Sequence, residues 1–225
     1  MSSLKEKYLE PIEYPESDGK PMGETPVHRR LMTELIFQLE NFFEKKKEVY
    51  ISGNMMMYYV EGEPEKMISP DVFVVRGVKQ GLRRIYKIWE EGHAPEVVIE
   101  LSSRKTRKED FGKKMDLYAQ LGVKEYFIFD PEYPKNRKPL NAYRLSGDQY
   151  VEILVSGGRV MSKELGLELI DTGETLRLFN PKTKQLLLTS TEERQARQQA
   201  EVKLSKVQTE LAKLREQIKK LKNLG

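Results

Sequence analysis

The sequence predicts an α/β domain, with a central mixed β-sheet flanked by helices, followed by a C-terminal coiled-coil helix. Short apolar runs alternate with helical periodicity over residues 28–130. A strand–helix–strand succession over 96–129 is the order expected of a parallel crossover. We therefore divide the chain into an irregular lead-in (1–27), a folded domain (28–185) and a coiled coil (191–225).

Composition narrows the chemistry that the chain can perform. Its 225 residues, 38% hydrophobic and 33% charged, suffice for one core domain and an appendage. The formal charge of +4 permits attraction to a polyanion such as nucleic acid. The absence of cysteine excludes disulfides, thiolate nucleophiles and cysteine-ligated zinc, and two histidines make a poor metal cage. An oxygen-ligated Mg²⁺ or Mn²⁺ remains compatible.

The N-terminal residues contain no apolar run of the kind found in signal peptides. No window of the sequence approaches the roughly 20 apolar residues of a membrane span. We therefore expect a soluble, cytoplasmic protein.

The first elements follow a proline-punctuated lead-in in which Asp18-Gly19 signals a turn. Residues 28–46 carry apolar side chains at helical spacing, and Glu34 could share or flank the buried face. Residues 49–59 and 72–75 are predicted strands. Residues 77–92 are predicted to form a basic loop or an irregular insertion, and this is where we would look for substrate contacts.

Residues 96–101 form a nearly all-apolar strand, the pattern of a strand whose two sheet faces are both covered. A helix is predicted over 108–121, with Gly122 as its left-handed cap, followed by a strand over 125–129. A hairpin (141–145 and 149–154) and polar turns to about residue 178 complete the domain.

The tail differs from the domain in composition, because residues 191–224 contain neither proline nor glycine. Its apolar residues step by 3, 4, 3, 4 and 3 positions: Leu204, Val207, Leu211, Leu214, Ile218 and Leu221. This a/d heptad pattern predicts a coiled coil that forms a homo-oligomer, most simply a dimer, or pairs with another protein. The number of strands is left open.

Two acids occupy strand ends that could meet in the sheet. Asp71 begins one predicted strand and Glu100 ends the next long apolar run. Two carboxylates can hold a divalent metal that activates water for attack on a phosphodiester. A Pro-Asp pair is also a common turn signal, whereas a carboxylate in a strand buried on both faces needs a partner or a metal.

A lysine on the following helix could complete this site. Asp110, Lys114 and Tyr118 are spaced four residues apart and share one helical stripe, whereas Lys113 points about 100° away. The stripe could face the two acids, with Lys114 stabilising charge. The alternative is a solvated ion pair between Asp110 and Lys114.

Two further features have both a functional and an ordinary interpretation. The basic, hydroxyl-rich connection 102–108, which begins with Ser102, could contact phosphates or be simply solvated. His28 could belong to the site, but a lone histidine near a helix start is more often a cap or a surface group. We therefore do not assign His28 a role from the sequence.

These motifs resemble those of the Uma2-type restriction-endonuclease family, which is common in cyanobacteria. The resemblance lies in Ser69-Pro70-Asp71-Val72, in 96–103, in Asp110, Lys114 and Tyr118, in Gly122-Val123, in Glu125-Tyr126 and in Asp130-Pro131. Asp18-Gly19 and His28 also look like the lead-in of the family. The resemblance spans about residues 14–180.

The resemblance implies membership of the PD-(D/E)xK nuclease superfamily, and hence a restriction-endonuclease-like core over 28–185. The metal carboxylates of that superfamily would fall on Asp71 and Glu100. Ser102 stands where the usual lysine would be, which resembles the variant whose lysine has migrated to the next helix, here Lys114. Glu34 would be the additional acid of many relatives.

The leading hypothesis is a Mg²⁺- or Mn²⁺-dependent endonuclease that hydrolyses DNA through Asp71, Glu100 and Lys114, with Glu34, Ser102, Asp110 and Tyr118 in support. The alternative is a catalytically inactive nuclease-fold scaffold, or a nucleic-acid- or protein-binding module, dimerised by its coiled coil. A Lys114 side chain that points away from the acids would favour the alternative. The sequence leaves the choice between DNA and RNA open.

Overall fold

The computed structural model describes residues 12–17, 19, 25–132 and 138–222. Asp18 and most of the predicted lead-in lie outside these residues. The chain divides into two compact units, Met1–Leu187 and Leu188–Gly225. Within the described residues, no helix combines the length and the apolar character needed to cross a membrane.

In chain order, the elements are α1 (Pro26–Phe43), β1 (Val49–Ser52), β2 (Met57–Tyr58), β3 (Met67–Ile68), β4 (Val72–Arg76), β5 (Tyr86–Lys87), α2 (Ile88–Glu91), β6 (Val97–Leu101), α3 (Arg107–Asp110), α4 (Lys113–Gln120), β7 (Glu125–Phe129), β8 (Leu140–Ser146), β9 (Gln149–Ile153), β10 (Arg159–Ser162), β11 (Leu167–Asp171), β12 (Leu176–Asn180), β13 (Gln185–Leu186) and α5 (Ser190–Lys222).

A six-stranded mixed sheet forms the centre of the first unit, in the order β1-β4-β6-β7-β8-β9. Strands β6 and β7 pair in parallel, and every other neighbouring pair in this sheet is antiparallel. Helices α3 and α4 connect β6 to β7, which confirms the predicted crossover. The fold is the predicted α/β architecture, with a long C-terminal helix.

Both faces of the central sheet are covered, as the apolar character of β6 and β7 predicts. One face packs a core that includes Leu35 and Leu39 of α1 and Ile99 of β6. The other packs Val98 of β6 with Tyr118 of α4 and other aromatic residues. Because side chains alternate along a strand, Glu100 points to the α4 side.

Helix α1 begins at Pro26, two residues before the predicted start. The side chain of Thr25 accepts a hydrogen bond from the His28 amide (3.2 Å), as an N-cap does. Proline is favoured at the first helical position because it lacks only an amide hydrogen that would be unpaired there. The cap therefore fixes the first turn, which carries His28.

The single strand predicted over 49–59 is wrong, because the chain breaks after Ser52 into β1 and β2. Asn54 adopts a left-handed conformation (φ 49°), and its amide donates to the carbonyl of Pro70 (2.8 Å). Gly53 lies so close to the carbonyl of Asp71 that a β-carbon there would be 1.9 Å from the oxygen. Contact with the segment that carries Asp71 therefore interrupts the strand.

Two predicted loop regions contain regular structure. Residues 77–92 include β5 and α2 rather than only a loop. The predicted polar turns before residue 178 instead form most of a second sheet, ordered β10-β11-β12-β13. These strands are short, and in β11 and β12 a charged residue separates the buried ones, such as Glu168 between Leu167 and Leu169, so the apolar signal in the sequence is weak.

The helix predicted over 108–121 is interrupted. Helices α3 and α4 are separated at Phe111-Gly112, where a β-carbon on Gly112 would lie 2.8 Å from the carbonyl oxygen of Lys108. Gly122 ends the segment with φ 78°, which confirms the predicted left-handed cap.

Candidate active site

Asp71 and Glu100 lie at facing positions on neighbouring strands. Val72 pairs with Ile99 in the β4–β6 register, so continuing that register by one residue sets Asp71 opposite Glu100. The amide of Leu101 donates a hydrogen bond to Oδ2 of Asp71 (2.7 Å). Both acids therefore belong to the face of the sheet that α4 covers.

Glu100 is fully buried and has a different partner on each oxygen. The hydroxyl of Tyr118 donates a hydrogen bond to Oε1 (2.6 Å), and Nζ of Lys114 lies 3.0 Å from Oε2. Helix α4 thus places the predicted side chains of Lys114 and Tyr118 in contact with the Glu100 carboxylate.

Lys114 links Glu100 to a third carboxylate. Its Nζ lies 2.9 Å from Oδ1 of Asp110, a residue that is only 1% exposed. The i,i+4 contact is kept across the break between α3 and α4, and the pair is largely buried, with 1% of the Asp110 side chain and 19% of the Lys114 side chain exposed. The predicted stripe of Asp110, Lys114 and Tyr118 faces Glu100.

His28 lies beside Asp71, although sequence reasoning assigned it no role in the site. Its Nε2 is 3.3 Å from Oδ2 of Asp71, across 43 positions of the chain. The only signals in the sequence were its place at the start of α1 and its part in the family resemblance. The packing of α1 on the sheet edge decides this contact.

The buried charges perturb the pKa values of the site. Burial, with contributions from Asp71 and Asp110, raises the pKa of Glu100 to about 8 against the opposing effect of Lys114. Burial also disfavours ionisation of Asp71, but His28, the Leu101 amide and Lys114 together hold its pKa below the ordinary value. The Lys114 pKa is raised because Glu100 and Asp110 outweigh the effect of burial.

Asp71, His28 and Lys114 line a cleft of about 450 Å³. Arg104 and Lys105, from the basic connection after β6, line the same cleft. Both side chains are exposed, and within the described part of the chain neither makes an ion pair. Of the three acids of the site, only Asp71 lines the cleft, beside the exposed cations Arg104 and Lys105; the buried Glu100 is linked to the cleft through Lys114.

The basic connection is held at both of its ends. The Ser103 amide donates to Oγ1 of Thr106 (3.0 Å), and the Thr106 amide donates to Oγ of Ser103 (3.3 Å). Arg107 pairs with Asp130 at the end of β7 (3.0 Å). Arg104 and Lys105 thus extend from an anchored loop.

None of the four predicted supporting residues lines the cleft, and neither does Glu100. Asp110 and Tyr118 instead contact Lys114 and Glu100. Ser102 is buried, and its amide donates to the carbonyl of Phe129 (2.7 Å). Glu34 is half-buried on α1 and lies six residues, or about 120° around the helix, from His28. The expected substrate loop 77–92 is also absent from this cleft; its residues Gln80 to Arg83 line a separate pocket.

A family model described as Uma2, putative restriction endonuclease, matches residues 9–177, about three quarters of the chain. The chain belongs to the Uma2 family. Every residue of the candidate site, from His28 to Tyr118, falls inside the region that matches the Uma2 model.

One solved structure similar to this chain is titled as a putative nuclease belonging to DUF820 from Anabaena variabilis ATCC 29413. It shares 13% sequence identity with a TM-score of 0.47, over 63% of this chain and 75% of that chain. No match to the chain was found among curated proteins.

The residues of this Uma2 site fit an oxygen-preferring divalent cation. Among the described residues there is no cluster of three or more acid, histidine or cysteine side chains arranged as a metal cage. Mg²⁺, however, usually retains several waters and needs only one or two carboxylates. Two buried carboxylates, of Glu100 and Asp110, contact the Lys114 ammonium group, and Asp71 lies opposite Glu100. The three carboxylates outnumber the one lysine, a surplus of negative charge that a cation would balance.

Proposed function

We propose that this Uma2 protein is a Mg²⁺- or Mn²⁺-dependent endonuclease that hydrolyses phosphodiester bonds of DNA. The observation that carries the proposal is the convergence on Glu100. Asp71, directly before β4, faces it, and Lys114 contacts it from α4. Two carboxylates beside an ammonium group are what metal-assisted phosphodiester hydrolysis requires.

Asp71 and Glu100 are the residues that would hold the metal. When bound there, the ion would lower the pKa of a coordinated water and offset negative charge on the phosphate. The Leu101 amide and His28 orient the Asp71 carboxylate, and the Tyr118 hydroxyl orients Glu100. Such partners hold ligands in a productive geometry.

Lys114 acts on the substrate together with Arg104 and Lys105 of the basic connection. The Lys114 side chain reaches the cleft, where its ammonium group can stabilise charge that develops on the scissile phosphate. Arg104 and Lys105 contact neighbouring phosphates. Such contacts position a nucleic acid independently of its base sequence. Asp71 and Lys114 thus line the same cleft as the exposed cations Arg104 and Lys105.

The test is cleavage of supercoiled plasmid DNA in Mg²⁺, in Mn²⁺ and in EDTA. We expect wild type to nick DNA only with metal, and Asp71→Asn, Glu100→Gln and Lys114→Met to lose at least about 100-fold in rate. Lys113→Met is the matched control, because Lys113 is the exposed neighbour of Lys114. Calorimetric titration with Mn²⁺ reports metal binding separately from cleavage.

The scaffold hypothesis predicts the opposite results. Wild type would neither bind metal nor cleave DNA, and the three substitutions would leave its behaviour unchanged. The contact of Lys114 with Glu100 supports the nuclease instead, because the scaffold hypothesis is favoured by a lysine that points away from the acids. A parallel assay on single-stranded RNA tests the choice of nucleic acid.

A further inference from the structure

One face of α5 carries a stripe of exposed apolar side chains. Leu204, Val207, Leu211, Leu214 and Ile218 are each between 47% and 60% exposed. A helix with isolated surface leucines is ordinary, but a continuous stripe at heptad spacing is the seam of a coiled coil. This seam requires a partner helix with the same spacing.

The heptad register assigns the flanking positions. With Leu204, Leu211 and Ile218 at a, and Val207 and Leu214 at d, the g position includes Glu210 and the e position includes Arg215, Gln208 and Glu201. These flanking residues set partner choice and orientation in coiled coils.

Three flanking charges have no ion-pair partner among the described residues: Lys203 at g, and Glu210 and Arg215 in the middle of the seam. Glu201 already pairs with Arg197 of its own helix (3.2 Å). Within the described part of α5, neither Glu210 nor Arg215 has an ion-pair partner. Their opposite charges flank the middle of the seam, so a second copy of this chain offers each of them its complement.

The positions of these charges favour one orientation. In a parallel dimer a g residue meets the e residue five positions later on the partner helix, so Glu210 meets Arg215 twice. In the antiparallel arrangement that stacks Leu211 on Leu214, Glu210 would approach Gln217 and Arg215 would approach Gln208. Only the parallel arrangement pairs both charges.

We propose that α5 binds a second copy of this chain as a parallel, in-register, two-stranded coiled coil, with Glu210–Arg215 ion pairs on both sides of the seam. At one of the three a positions, Ile218 followed by Leu221 at d is the combination that suits two strands. The dimer carries two copies of the site, and its formation does not depend on whether that site is active.

A single introduced cysteine reports the relative orientation of the two helices, because the natural chain has no other cysteine that could crosslink. In a parallel dimer the two copies of Ile218→Cys face each other and form a disulfide on mild oxidation. In the antiparallel arrangement they lie 11 residues out of register, about 16 Å along the axis. Ala212→Cys, at the outer b position, is the matched control and should stay uncrosslinked.

Charge reversal tests the ion pairs on the full-length protein. We expect Glu210→Arg and Arg215→Glu each to raise the dimer dissociation constant roughly tenfold, because attraction becomes repulsion at two places. The combined Glu210→Arg/Arg215→Glu variant should return to within about threefold of wild type. Sedimentation equilibrium over a concentration series measures all three constants.

The expected result is a dimer of twice the 26.3 kDa chain mass that crosslinks through Ile218→Cys and is rescued by the double reversal. A monomer at all concentrations would overturn the proposal and favour a different partner chain. A dimer that does not crosslink through Ile218→Cys would overturn the parallel arrangement. So would a dimer whose dissociation constant is unchanged by both single charge reversals.

Discussion

The main chain of Gly53 packs directly against the carbonyl group of Asp71. A β-carbon at residue 53 would lie 1.9 Å from that oxygen and 3.0 Å from Cδ1 of Ile36. The position of one candidate metal ligand therefore depends on the absence of a side chain on the neighbouring segment.

Gly53→Ala should destabilise the protein and impair the site together. The overpacking should cost about 3 kcal/mol of unfolding free energy, measured by urea denaturation. Because the segment that carries Asp71 must move, metal binding should weaken as well. Gly62→Ala is the control: no atom lies within 4 Å of its β-carbon, and its φ of 86° should cost only about 1 kcal/mol. Equal effects of the two substitutions would contradict the packing argument.

The buried Glu100 should make stability depend on pH in metal-free solution. Its pKa is about 8 in the folded chain against 4.5 in the unfolded one, so the folded state binds more protons between these values. The unfolding free energy should therefore fall as pH rises from 4.5 to 8, by an amount on the order of a few kcal/mol. The lowered pKa of Asp71 has the opposite sign and acts near and below pH 4, outside this window.

The Glu100→Gln variant isolates this effect because glutamine does not titrate. Urea unfolding of both proteins in EDTA, at intervals from pH 4.5 to 8, should show wild type losing stability relative to the variant. Saturating Mg²⁺ at pH 8 should restore stability to wild type alone, since binding favours the folded state. Parallel pH curves for the two proteins would refute the buried-charge account.

His28 should act by positioning Asp71 rather than by supporting the fold. His28→Ala should lower metal affinity and cleavage by about 10- to 100-fold, the usual effect of losing a partner of a metal ligand. Stability should change little, because Asp71 keeps the hydrogen bond from the Leu101 amide. His93→Ala, at the other histidine of the chain, should leave cleavage intact. A loss shared by both histidine variants would point to folding instead.

Arg104 and Lys105 should contribute to DNA binding through phosphate contacts. Replacing either by alanine should reduce the slope of log K against log salt by about 0.9. Fluorescence anisotropy with duplex DNA in EDTA measures this slope without cleavage. Lys108→Ala is the control, since Lys108 is exposed on α3 and does not line the cleft. An unchanged slope in both variants would place the DNA elsewhere.

Sequence reasoning predicted the strands next to the acids better than the contacts between elements. The apolar runs of β6 and β7 are strong local signals, because both faces of these strands are buried. The strands β10 and β11 of the second sheet are short and alternate buried residues with more exposed ones, so their pattern could not be distinguished from polar turns. Local periodicity reports burial, and it weakens where burial is confined to one face.

The sequence by itself determined the α/β order, the parallel crossover, the heptad pattern of α5, the placement of Asp71 and Glu100 at strand ends and that of Lys114 on the helix that follows. Only the tertiary structure decided that His28 lies against Asp71, that Gly53 lies against its carbonyl and that Glu34 lies outside the cleft. The reason is physical: periodicity describes how one element meets its environment, whereas contacts across 43 residues depend on how separate elements pack.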